Sequence, residues 1–142
     1  MKISARNQFS GTVCDVQIGA VNAQVSVQLA GDQQIIAAIT KESAENLEIE
    51  VGKSVIAFVN ATQIILVTDF AGYTLTARNQ LLGTVKQVQR GVVNAEVDIE
   101  LIGGQSITAT VTNESAENLE LQEGVNVSVV FKAGSVILAV QA

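Results

Sequence analysis

Val21-Asn22-Ala23-Gln24-Val25-Ser26-Val27-Gln28-Leu29 alternates apolar with polar residues, and Val93-Asn94-Ala95-Glu96-Val97-Asp98-Ile99-Glu100-Leu101 repeats the pattern 72 residues later. A period of two places Val25, Val27 and Leu29 on one face of a strand and Gln24, Ser26 and Gln28 on the other, the signature of a half-buried β-strand. Gly31-Asp32 and Gly103-Gly104 follow as hairpin turns. Outward from this strand the same shift holds without a gap. Ala5-Arg6-Asn7-Gln8 recurs as Ala77-Arg78-Asn79-Gln80, Gly11-Thr12-Val13 as Gly83-Thr84-Val85, and Glu42 to Glu48 returns whole as Glu114 to Glu120. The chain is therefore one unit of about 66 residues written twice, residues 1–70 and 71–142, linked around Asp69-Phe70-Ala71-Gly72.

The pattern predicts five strands in each unit, in the first near 11–18, 21–30, 33–40, 53–60 and 63–68. Thr40 to Leu47 reads as a short helix, with a Thr N-cap, acids in its first turn and a break by Gly52. Three strands, a helix and two more strands is the order of an OB-type barrel, so the fold class is all-β: two tandem OB-like five-stranded barrels, each with one short helix. Apolar residues make up 48% of the chain and aromatics only 4%, so Val, Ile, Leu and Ala must fill the core. Units this small bury little apolar surface alone, and association into a homo-oligomer is expected.

Charge and residue inventory exclude several functions. A net charge of −6 with no His gives no broad positive field for nucleic acid or anionic membrane, so any bound anion must be held locally. Without His there is no general base poised near neutral pH and no Ser-His or Cys-His pair, and no phosphate-loop or dinucleotide glycine pattern occurs. Enzymatic function is not expected. Cys14 has no second Cys for an internal disulfide and no partners for a thiolate metal site; it reads as a small buried or half-exposed strand residue. Lys2, Arg6 and Asn7 interrupt any apolar leader, and the apolar runs are too short to span a bilayer, so a soluble, cytoplasmic protein is expected.

Three repeated groups could hold a ligand. Ser4-Ala5-Arg6 and Thr76-Ala77-Arg78 place a hydroxyl and a guanidinium two residues apart, on one face of an extended segment, where they could grip two oxygens of one anion. The same residues read equally well as a surface strand whose Arg meets a neighbouring Glu. Lys132-Ala133-Gly134-Ser135 offers an ammonium, a hydroxyl and the backbone N–H groups of a turn; its counterpart is Asn60-Ala61-Thr62-Gln63. Val21-Asn22 and Val93-Asn94 set a polar residue at the start of an apolar strand, which turn chemistry explains as well as ligand contact does.

Taken in order, Ser-Ala-Arg-Asn, Gly-Thr-Val, Gly-Ala-Val-Asn-Ala, Thr-x-Glu-Ser-Ala, and a basic residue with Ala before Val-Ile-Leu resemble the Mop domain of molbindins. The resemblance covers nearly the whole chain, twice, and its organisation is that of the tandem molbindins. It implies an OB-like fold, a trimer of tandem chains, and molybdate or tungstate bound at subunit interfaces, with no other cofactor. By motif it places Ser4, Ala5 and Arg6, with Thr76, Ala77 and Arg78, on one wall of a site, and Lys132, Ala133 and Ser135, or Asn60 and Ala61, on a facing wall from another domain. Val21, Asn22 and Ser43, with Val93, Asn94 and Ser115, resemble the lining of a second kind of site. Asn60 departs from the family's usual Lys, which implies weaker or empty sites wherever Asn60 takes part. Storage or buffering of the oxyanion is the role implied. The competing readings are a structural or protein-interaction barrel without an oxyanion, and, third, an OB-type binder of single strands, which the acidic charge and unrepeated aromatics disfavour.

Overall fold

The computed structural model describes residues 1–141. The first half contains β1 (Asn7–Ile18), β2 (Asn22–Gln28), β3 (Gln34–Thr40), α1 (Lys41–Asn46), β4 (Ser54–Val59) and β5 (Ile65–Val67). The second contains β6 (Asn79–Arg90), β7 (Asn94–Leu101), β8 (Ser106–Thr112), α2 (Asn113–Asn118), β9 (Asn126–Phe131) and β10 (Ile137–Ala139). The order of elements is the one the hydrophobic pattern predicts. In α1 the Thr40 side chain accepts a hydrogen bond from the Ser43 backbone N–H at 3.0 Å, the expected N-cap, and Thr112 does the same for Ser115 in α2.

The first strand is longer than its alternation suggested because it serves two neighbours. Residues 7–12 of β1 pair with β4, and Thr12 to Ile18 pair with β2. The changeover coincides with a β-bulge, where the register shifts between Val13 and Asp15, and β6 repeats it between Val85 and Gln87. An extra residue in one strand bends it and increases its twist, and this curls each sheet. Cys14 is the extra residue. It is exposed, where the sequence suggested a buried or half-exposed thiol, because the bulge takes it out of the in-out alternation.

The two sheets are not closed by their own strands. Their orders are β10-β4-β1-β2-β3 and β5-β9-β6-β7-β8. The expected all-β class with two five-stranded units holds, but the short last strand of each half pairs in the other half's sheet, Ile137 with Phe58 and Ile65 with Val130. On the way, the turn Ala133–Ser135 packs on β3 and the turn Ala61–Gln63 packs on β8. Leu66 and Leu138 are buried by this exchange, and one continuous apolar core, from Phe9 to Leu138, draws on both halves.

The open edges of β3 and β8 are covered by side chains that imitate a strand. Asn7 is 2% exposed; its Nδ2 donates to the Thr108 carbonyl at 2.8 Å and its Oδ1 accepts from the Thr108 N–H at 2.7 Å. Asn79, also 2% exposed, makes the same pair with Ile36, both bonds at 2.8 Å. Each carboxamide thus satisfies one residue of the opposite half's edge as a neighbouring backbone would. The halves also meet at Gly31, whose φ is +73° and where a Cβ would lie 2.6 Å from the Gly103 Cα, so this approach requires glycine.

Replacing Asn79 by Ala removes two hydrogen bonds and leaves the Ile36 N–H and C=O without partners in a part-buried position. The expected cost is about 2–3 kcal/mol. Thermal unfolding followed by circular dichroism should show Tm lowered by roughly 10 °C; an unchanged Tm would mean that the clamp carries no stability.

Candidate functional site

The register of the second sheet builds one cationic cradle. Asn79, the first residue of β6, pairs with Phe131, the last residue of β9. The residues just outside this rung, Thr76-Ala77-Arg78 before β6 and Lys132-Ala133 after β9, line a common cavity of about 210 Å³. Thr76, Arg78 and Lys132 are exposed, while Ala133 is buried at 8% and anchors the turn. The two walls that the sequence analysis placed on separate domains meet here within one sheet. Ser135 is not among the lining residues; its hydroxyl lies 3.4 Å from Gln63 Oε1, where the two turns of the halves meet.

The matching place in the first sheet is built alike and charged differently. Asn7 pairs with Val59, bringing the start of β1 beside the end of β4 and so Ser4-Ala5-Arg6 towards Asn60-Ala61. Asn60 contributes no charge, and Arg6 Nη1 is held by Glu96 Oε1 at 2.9 Å. In the first copy, then, the Arg meets a neighbouring Glu, whereas Arg78 in the second has no carboxylate partner among the described residues.

Four of the eight cationic side chains pair with carboxylates: Arg6 with Glu96, Lys41 with Glu45, Lys86 with Glu100, and Arg90 with Glu117. Lys53 Nζ donates to the Leu47 carbonyl at the end of α1 at 2.8 Å, a favourable place for a cation. Among the described residues, Lys2, Arg78 and Lys132 have no carboxylate partner, and of these Arg78 and Lys132 share one cavity. In a chain of net charge −6, these two cations on one cavity give a local positive potential. A planar guanidinium, an ammonium and a threonine hydroxyl are all hydrogen-bond donors to oxygen, suited to a small anion with several acceptor oxygens.

The remaining candidates form a separate group. Asn22 pairs with Thr40 across β2 and β3, and the Lys41 N–H donates to the Val21 carbonyl at 2.8 Å, so Val21 and Asn22 lie beside the start of α1. Val93, Asn94 and α2 repeat this arrangement, with the Asn113 N–H donating to the Val93 carbonyl at 2.8 Å. Ser43 and Ser115 are engaged by the caps: Thr40 and Thr112 hydroxyls lie 2.8 Å and 2.9 Å from theirs. Neither group lines the Arg78 cavity. The structural task of Asn7 and Asn79 is not evident from sequence, since their partners lie 101 and 43 residues away. The signal available was an amide at the same place in both units, next to the Arg.

The TOBE domain model matches residues 3–66 and 75–138. The chain is 45% identical over 141 residues, 99% of its length, to the molybdenum transport protein ModE of Herbaspirillum seropedicae, and 37% identical over 139 residues, 98% of its length, to the molybdenum-pterin-binding protein MopA of Rhodobacter capsulatus. It spans about half of these relatives, 52% of each. A solved structure of the cytoplasmic molybdate-binding protein ModG, in a form with molybdate bound, superposes with a TM-score of 0.96 at 50% identity, covering 99% of this chain and 100% of that one. With its two TOBE segments and a fold matched over its length, the chain belongs to the TOBE-domain family, in the tandem form of the molybdenum-binding Mop proteins.

Proposed function

We propose that this chain binds molybdate, or the nearly equal tungstate, and that it stores or buffers the oxyanion in the cytoplasm without catalysis. The observation that carries the reading is the pair of uncompensated cations, Arg78 and Lys132, beside Thr76 in one cavity. A tetrahedral dianion brings two negative charges and four acceptor oxygens, and the cradle offers two positive charges and a set of N–H and O–H donors. Such a match is what a partly desolvated anion requires, because an uncompensated charge away from water costs several kcal/mol. ModG, alike in fold over its full length, is a molybdate-binding protein.

The cradle is open to solvent in a single chain, and a second chain covering it would dehydrate the site and strengthen its hydrogen bonds. Exposed apolar residues support association. Ile18, Val21, Val92 and Val93, at the β1–β2 and β6–β7 turns, are 56% to 98% exposed. Isolated exposed apolar residues are ordinary, but groups of them mark surfaces that bind. We propose a homo-oligomer, a trimer of tandem chains, in which residues 1–70 and 71–142 act as quasi-equivalent units. Val21, Asn22 and Ser43, with Val93, Asn94 and Ser115, line a second class of site in that assembly. Selectivity against sulfate then rests on cavity size, since both dianions present the same acceptors.

Binding at an interface stabilises the assembly by mass action, by about 2.7 kcal/mol at a hundredfold excess over Kd. Thermal melts recorded with oligomer mass should therefore show Tm raised by several degrees with molybdate and tungstate and unchanged with sulfate and phosphate. No shift with any of the four would contradict the reading. In equilibrium dialysis, Arg78→Ala is expected to lower molybdate stoichiometry clearly more than Asn60→Ala; equal stoichiometry in the two variants would count against the assignment of the walls.

A further inference from the structure

The repeat encodes two cradles of the same backbone, yet the strand beside each carries different charge. Arg6 lies over the second half because Asn7 is fixed to Thr108, and it meets Glu96, which pairs with Thr110 in the β7–β8 ladder. Asn79 is fixed to Ile36 in the same way, and the residue paired with Ala38 in the β2–β3 ladder is Gln24. Gln24 is therefore the counterpart of Glu96. The contrast runs along the strand: Glu96, Asp98 and Glu100 on β7 stand where β2 carries Gln24, Ser26 and Gln28.

We propose that Glu96 is an internal competitor for the oxyanion, a residue that determines which of the two cradles accepts it. Its carboxylate occupies the donors of Arg6 at 2.9 Å, and it would face any dianion placed there. An anion at the Ser4–Arg6 cradle must displace a carboxylate and then sit beside it, whereas the Thr76–Arg78 cradle has neutral Gln24 at the matching ladder position and no carboxylate among its lining residues. The ion pair is half exposed, with side-chain exposures of 55% and 39%, and pairs of this kind are individually weak. The discrimination therefore comes from displacement and like-charge repulsion together, and both act against a dianion. With Asn60 replacing a cation on the facing wall, the first cradle holds no net positive charge, and the second holds two. This inference rests on the oxyanion-binding reading above, and it makes the tandem chain functionally asymmetric.

The test is calorimetric titration of molybdate into full-length proteins, each checked for an unchanged ligand-free melt. Gln24→Glu, which puts a carboxylate at the ladder position equivalent to Glu96, should weaken binding about tenfold or more. Gln122→Glu, an exposed substitution of equal charge elsewhere, should leave affinity within about twofold. In an Asn60→Lys background, adding Glu96→Gln should strengthen the sites gained at the first cradle by about tenfold. The proposal is overturned if Gln24→Glu binds like the wild type, or if Glu96→Gln changes nothing in that background, while Arg78→Ala still lowers molybdate stoichiometry; the oxyanion reading would then survive alone. If the wild-type protein takes up no molybdate, that reading fails and this one with it.

Discussion

A carboxamide buried at each of two edges, Asn7 on Thr108 and Asn79 on Ile36, is the contact on which the rest of the architecture turns. A sheet edge exposes backbone donors and acceptors in a row, and burying it unpaired costs about 1–3 kcal/mol per group. Here each half supplies the other with the missing partner. The exchanged strands β5 and β10 work to the same end on the opposite edges, so neither sheet is complete without the other. This reciprocity explains how a chain poor in aromatics, made of units too small for a generous core, assembles one continuous interior.

The functional geometry follows from those clamps. Asn79 fixes the first rung of β6 against β9, and the residues on either side of that rung, Arg78 and Lys132, are left on the outside facing a common cavity. Both are held near the anchor by short lengths of chain, Arg78 by the adjacent buried Asn79 and Lys132 by buried Phe131 and Ala133. A binding site built next to a rigid clamp loses little conformational entropy when its ligand arrives. The same backbone in the first half carries Asn60 and an engaged Arg6, so one fold written twice yields two different electrostatic environments.

Much of this was legible in the residues. Alternation in Val21–Leu29 and its copy identified the strands, and Thr40 with the acids after it identified the helix, because both signals are local. The strand exchange was not legible, for a physical reason: Ile65-Leu66 and Ile137-Leu138 are identical, so each fits either sheet and composition cannot say which it joins. The repeated Asn beside the Arg marked where the clamps sit, but not what they hold, since the hydrogen bonds they make are to backbone, which has no sequence signature. Of the site, Thr76 with Arg78 and, separately, Lys132 were visible as donors, and only the family resemblance set them on facing walls. That they share one sheet, and that Glu96 takes Arg6 while Gln24 stands at the matching place, required the ladder registers.

The central claim is that the oxyanion sits between Arg78 and Lys132. The most direct measurement is an anomalous difference map from crystals of the full chain grown with molybdate, with data collected at the molybdenum absorption edge. The account predicts a peak beside Thr76, Ala77 and Arg78 and within hydrogen-bonding reach of the Lys132 ammonium, stronger than any at Arg6. Density for molybdenum at the Arg6 and Asn60 cradle with none at Arg78 would contradict it.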